Sequence, residues 1–418
     1  MSSNRLLLKN INVLYSVYDQ SPGLLRGSAM QNCPQIRNAW LACEEGRISA
    51  YGEMADFPGI SDWKGLEVID CSGKLVLPGY VDSHTHLVYA GNREQEFSDR
   101  IKGLSYEDIA ARGGGILNSA DKLRASSEDD LFEQSKTRLQ EIISQGTVAV
   151  EIKSGYGLDL ESELKILRVI RRLKELDWIP VKATFLGAHA VPKEFKANKS
   201  GYIDLIIHDM LPAIKRDALA DYIDVFCERN YFSSEETRVI FEAGLKHGLR
   251  PRLHAEQLSH SNGIKTAVSC GAASVDHLEF CNEEDMDLLL NSDTIPTILP
   301  GAAFFLNLPL PPARRMIDKG LALALASDYN PGSCPSGNMS LMMSLACVQY
   351  RLTPEEAFNA ASINSAYSLG LENELGSITP GKRANLLISK AIPSLGFIPY
   401  AFGGQHIEKV ILNARVWA

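Results

Sequence analysis

The chain has 418 residues, 45% of them hydrophobic and 22% charged, with a formal net charge of −9. That is ample apolar material for a large folded core, while the acidic balance, without any basic cluster, argues against nucleic acid as a partner. No run approaches the eighteen apolar residues of a membrane span, and the N-terminal "LLL" is too short for a secretory core. The eight cysteines are scattered without a CxxC pair, so they are expected to be reduced thiols in a cytoplasmic protein.

Residues 5 to about 75 read as short strands: "RLLLKNINVLY", "AWLACEEGRISAYG" and "LEVIDCSGKLVLPG", separated by Gly, Asn and Pro turns. They predict a small antiparallel β unit. The C-terminal stretches "GSITPGKRANLLISK" and "HIEKVILNARVWA" return to the same style, as if the two chain ends build one domain together. Between them, helical periods such as "EDDLFEQSKTRLQEIISQG" and "LESELKILRVIRRLKELD" alternate with continuous apolar runs. Continuous runs alternating with helices mark a parallel sheet covered on both faces. The runs are "YVDSHTHLVYA", "TVAVEIKSG", "VKATFLGAHA", "YIDVFCERN", "RPRLHAEQ", "ASVDHLEF", "TIPTILPG" and "LALALASDYN". Eight such strands are the number a (β/α)8 TIM barrel requires. The expected division is residues 1–78 and 371–418 for the two parts of a small β-sandwich, with the barrel in residues 79–370.

All but one of these runs end in a residue able to bind a metal or move a proton: His84 and His86, Glu151 and Lys153, His189, Glu228, His254, His277, and Asp328. In a parallel barrel these ends share one mouth, where active sites are built. His84 and His86 are two residues apart, so on a strand they point to the same face, and imidazole suits zinc or iron. One such histidine is best explained as a satisfied core residue. Seven strand ends of this kind are hard to explain by structure alone. His208, His247, His260 and His406 lie off the strand ends, and surface or capping roles suffice for them. The triple glycine at 113–115 lacks the strand and helix context of a dinucleotide loop and is expected to be a mobile loop near the mouth.

"LVLPGYVDSHTHL", His254, His277, the "ASDYNPG" aspartate and "GSITPGKRANLLI" together resemble the amidohydrolase superfamily over nearly the whole chain. The resemblance implies one metal ion, Zn2+ or Fe2+/Fe3+, held by His84, His86, His254 and Asp328. It also implies proton transfer by Asp328 and water or oxyanion stabilisation by His277. Longer stretches are similar to the branch of that superfamily that opens 4-imidazolone-5-propanoate to N-formimidoyl-L-glutamate in histidine degradation. These stretches are "HTHLVYAGNREQEF", "GGGILNSA", "EIKSGYGLDLESELKILR", "TFLGAHAVPKEF", "LHAEQLS" and "SDYNPGSCPSGNMSLMMSLAC". By that similarity Arg93 meets the carboxylate tail of a small-molecule substrate, and Tyr156, His189, Gln257, Asn330, Gly332 and Ser333 complete the substrate site. Gln257 stands where some members carry glutamate, and an amide cannot accept a proton. Lys153 is expected to be structural rather than a carbamylated bridge between two metals. A homodimer follows from the resemblance only. The competing readings are a cytosine- or guanine-type deaminase with the same ligands, and a barrel that has lost catalysis and serves as a binding protein.

Overall fold

The computed structural model describes residues 5–104 and 114–417, so Gly113 of the triple glycine lies outside the described residues. Strands β1 (Arg5–Tyr15), β2 (Gln35–Glu44), β3 (Arg47–Glu53), β4 (Leu66–Asp70) and β5 (Lys74–Pro78) come first. The barrel strands follow: β6 (Tyr80–Asp82), β7 (Thr147–Lys153), β8 (Val181–Ala188), β9 (Tyr222–Cys227), β10 (Arg250–Ala255), β11 (Ser274–His277), β12 (Ile295–Ile298) and β13 (Ala324–Leu325). The chain ends with β14 (Leu386–Ala391), β15 (Ile407–Leu412) and β16 (Arg415–Val416).

The terminal strands form one sheet in the order β16-β15-β14-β5-β1-β2-β3, with β4 also paired to β1. This sheet is mixed, which corrects the expectation of an antiparallel unit. The chain crosses back after β3, so β4 and then β5 run parallel to β1, while β14 pairs antiparallel to β5. Period-two alternation divides these strands between two cores. Leu6, Leu8, Val76, Leu386 and Ile388 enter a core private to the sheet. Their neighbours Leu75, Leu77 and Leu387 enter the main barrel core, which fastens the two units together.

Strands β6 to β13 follow one another in sequence order, every neighbouring pair parallel. All eight predicted apolar runs supply one barrel strand each. Every residue of β7 and β9 is buried, as expected where side chains fill the interior and helices cover the outside. The barrel closes just beyond β6 and β13 through a bridge between Thr85 and Tyr329. There the Asp328 N–H donates to the His84 carbonyl (3.0 Å) and the His86 N–H to the Tyr329 carbonyl (2.9 Å). The seam that shuts the barrel therefore carries three of the four expected metal ligands. All eight cysteines are free thiols, and no helix among the described residues is long and apolar enough to cross a membrane.

Candidate metal centre and substrate cavity

His84, His86 and His254 are buried and bring one ligand-type atom each to within 4.8 Å of one another. Asp328 Oδ1 lies 3.5 Å from His84 Nε2 and 3.6 Å from His86 Nε2. His84 Nδ1 is 2.7 Å from Asp276 Oδ2, and His254 Nδ1 is 3.0 Å from Asp224 Oδ2. At His84 the carboxylate at Nδ1 holds the proton there and turns the Nε2 lone pair towards the centre. Nε2 of both His84 and His254 is buried without a hydrogen-bond partner among the described residues. Burial, followed by the Lys153 charge at His84 and the His189 ring at His86, holds both imidazoles well below their usual pKa, so they stay neutral. Three buried imidazoles converging with one carboxylate are a donor set that fits a single transition-metal cation.

Behind this cluster lies a charged layer of which the strand-end reading named only Glu151 and Lys153. Lys153 Nζ sits 2.8 Å from both Glu151 Oε1 and Asp224 Oδ2, and Arg252 Nε sits 3.1 Å from Glu151 Oε1, all with fully buried side chains. Asp276 Oδ2 is 3.8 Å from Lys153 Nζ. Burial works against the Asp224 carboxylate, but His254 and Lys153 outweigh it and hold the group far below the ordinary carboxylate range. Lys153 is thus tied into an ion network. The local signal was present: Arg252 precedes His254 by two residues, hence on the same strand face, and Asp224 interrupts the apolar run "YIDVF".

His277, the last residue of β11, and Asp328, three residues beyond β13, have φ of +88° and +55°, conformations that non-glycine residues adopt at a cost of order 1–3 kcal/mol. His277 Nδ1 is 3.9 Å from Glu279 Oε1, a carboxylate with no hydrogen-bond partner among the described residues. Glu228 departs from the strand-end expectation. Its oxygens accept the Gln257 N–H (2.6 Å), the Leu258 N–H (2.9 Å) and the Ser259 hydroxyl (2.7 Å), so it pins that loop.

A cavity of about 390 Å³ opens onto the cluster and is also lined by Arg93, Tyr156, His189, Gln257, Asn330 and Ser333. His189 Nδ1 donates to the Gly155 carbonyl (3.0 Å), and burial pushes its pKa down to about 3, leaving a neutral Nε2 towards the cavity. Gly155 adopts φ +108°, and a Cβ there would lie 2.8 Å from His189 Nδ1, so this contact needs glycine. The Tyr156 loop is held by Glu163, which accepts the N–H groups of Gly155, Gly157 and Leu158. Asn330 is also tied into its own loop. Its carboxamide bonds the Asp328 carbonyl (2.7 Å), the Ser333 hydroxyl (2.6 Å) and the N–H of Gly332 (2.7 Å), so it shapes the loop from within. Ser333 Oγ donates to Asp328 Oδ2 at 3.1 Å. Gly332 provides a seat for Arg93: a Cβ there would lie 2.2 Å from Arg93 Nη1. His208, His260 and His406 bond Asp204, Asp285 and Ala401, as capping and surface residues do.

A parallel barrel with this cluster at its mouth defines a class, and residues 75–416 match the amidohydrolase family. The chain is an amidohydrolase. Solved structures share the fold: guanine deaminase of E. coli has a TM-score of 0.74 at 14% identity, covering 99% of both chains. Triazine hydrolase from Arthobacter aurescens has a TM-score of 0.73 at 15% identity, covering 99% of this chain and 94% of that one. Sequence relatives are far nearer. Imidazolonepropionase of Flavobacterium johnsoniae is 53% identical over 410 residues, 98% of this chain and 99% of that protein. Imidazolonepropionase of Christiangramia forsetii is 51% identical over 411 residues, with the same coverage. The chain belongs to the imidazolonepropionase family.

Proposed function

We propose that this enzyme hydrolyses 4-imidazolone-5-propanoate to N-formimidoyl-L-glutamate, the ring-opening step of histidine degradation. The observation that carries the reading is identity of 51–53% to imidazolonepropionases over nearly the full chain. A cavity that presents Arg93 together with His86, His254 and Asp328 of the cluster supports it. In this reading His84, His86, His254 and Asp328 hold one zinc or iron ion. When bound, the ion polarises the ring carbonyl and lowers the pKa of water towards neutrality.

The chain's own groups do the rest. Asp328 takes the proton of the attacking water and returns it to the ring nitrogen as the C–N bond breaks. His277 stands beside the cluster to steady the oxyanion. Arg93 meets the propionate with its planar fork, while Tyr156, His189, Gln257 and the loop shaped by Asn330, Gly332 and Ser333 orient the ring. Gln257 orients through its amide and leaves proton transfer to Asp328 and His277. The protein is also proposed to act as a homodimer in the cytoplasm, for which light scattering should give twice the chain mass.

An assay on freshly generated 4-imidazolone-5-propanoate, with elemental analysis, tests the reading. Expected are about one zinc or iron per chain, loss of substrate and appearance of N-formimidoylglutamate without ammonia. Ammonia release from a cytosine- or guanine-like ring instead would establish the deaminase reading.

A further inference from the structure

The helix Glu94–Ile101 begins at Arg93 and places Glu96 and Arg100 three and seven residues further on, on one helical face. All three side chains line the cavity. Glu96 is fully engaged. Its Oε2 accepts from Arg93 Nε (2.8 Å) and Nη2 (2.5 Å), and its Oε1 accepts the Gly115 N–H (3.0 Å). Arg100 is different. Among the described residues its Nη2 donates only to the Gly332 carbonyl, at 3.2 Å, and no carboxylate lies within ion-pair distance of it. Its guanidinium lies over the Phe305 ring, 4.8 Å from the centroid. Gly332 is also where Arg93 Nη1 is seated. Among the described residues, two guanidinium groups and one carboxylate thus converge on the loop after Asp328. Burial and the like charge of Arg93 both hold Arg100 below its ordinary pKa.

We propose that Arg100 is a specificity-determining residue: with Arg93 it forms a two-guanidinium seat for the substrate's carboxylate, and Glu96 is the fixed counter-charge that keeps Arg93 in place. This rests on the reading of a propionate-bearing substrate. An entering carboxylate adds the negative charge that the two guanidinium groups call for and accepts charge-assisted hydrogen bonds from both. The Phe305 ring and the Gly332 carbonyl already hold Arg100 in position, so little side-chain freedom is lost on binding. Selection for an anionic tail follows. A neutral tail leaves two like charges facing each other in a partly desolvated cavity.

The test compares wild type, R100Q and R100K on 4-imidazolone-5-propanoate and on its neutral propanamide. For the propanoate, R100Q should lose on the order of 10-fold or more in kcat/KM, mostly through KM, and R100K should recover part of it. For the propanamide, R100Q should equal or exceed wild type. Equal losses on both substrates, or no change in KM for the propanoate, would overturn the seat. A wild-type protein without turnover on the propanoate overturns the substrate reading instead. Calorimetric titration with imidazole-4-propanoate then reads the seat alone: weaker binding to R100Q supports it, and equal affinity sinks it.

Discussion

Asp328 is asked to do two things, and its surroundings show how. Oδ1 faces His84 and His86, while Oδ2 accepts the Ser333 hydroxyl, so one carboxylate is divided between the cluster and the loop. Asp328→Asn keeps the shape but cannot carry a proton, so kcat should fall at least ~100-fold with the circular dichroism unchanged; a near-normal rate would remove Asp328 from proton transfer. Asp276 acts one step further out, through the 2.7 Å contact with His84 Nδ1. Asp276→Asn should loosen metal binding by about 10- to 100-fold in a competition titration against a chelator; unchanged affinity would show that His84 is oriented by something else. Gly332→Ala places a Cβ where Arg93 Nη1 now sits at 2.2 Å. KM for the propanoate should rise on the order of 10-fold, more than metal content changes, and an unaltered KM would mean that Arg93 has another way to reach the tail.

Among the elements, the parallel strands do most of the positioning, because each contributes one face to the interior. Lys153 at the end of β7 joins Glu151 of its own strand to Asp224 of β9, two strands away in the barrel order. Lys153→Met would leave the buried carboxylates short of a cation, at a cost of about 3–5 kcal/mol of stability. Chemical denaturation would read this directly. A midpoint close to wild type would mean that water or protonation replaces the lysine. Much of the element layout is legible in the sequence, since a buried parallel strand is a continuous apolar run and each run announces itself. The network is less legible: Glu151 and Lys153 looked like mouth residues, yet they turn into the barrel and pair there. Nothing local to "TVAVEIKSG" states which neighbouring strand will bring the partner.

For the whole molecule, the sheet and the barrel are not separable parts. Strands β5 and β14 pair antiparallel and face two cores at once, with Leu77 and Leu387 in the barrel core and Val76 and Leu386 in the sheet core. A chain ending before β14 would expose both cores and leave β5 with an open edge. Such a truncation should be insoluble or unfolded by circular dichroism, whereas a soluble, metal-binding product would show that the barrel stands alone.

By itself the sequence determined where the strands lie, that they would be buried on both faces, and that His84, His86, His254, His277 and Asp328 lie at or just beyond strand ends. Those are properties of short windows: a period of two places His84 and His86 on one face whatever the rest of the chain does. The tertiary structure decided that β4 and β5 run parallel to β1, and that Asp224 and Asp276 stand behind the histidines. It also decided that Glu228 spends its oxygens on a loop, that Asn330 braces the loop after Asp328, and that Arg93 and Arg100 meet at Gly332. Each of these depends on which backbone arrives from elsewhere in the chain (Asp276 lies 192 residues from the His84 it supports). A pairing across that distance is chosen by barrel closure and by the cost of leaving a buried charge alone, and neither leaves a mark in the local pattern of residues.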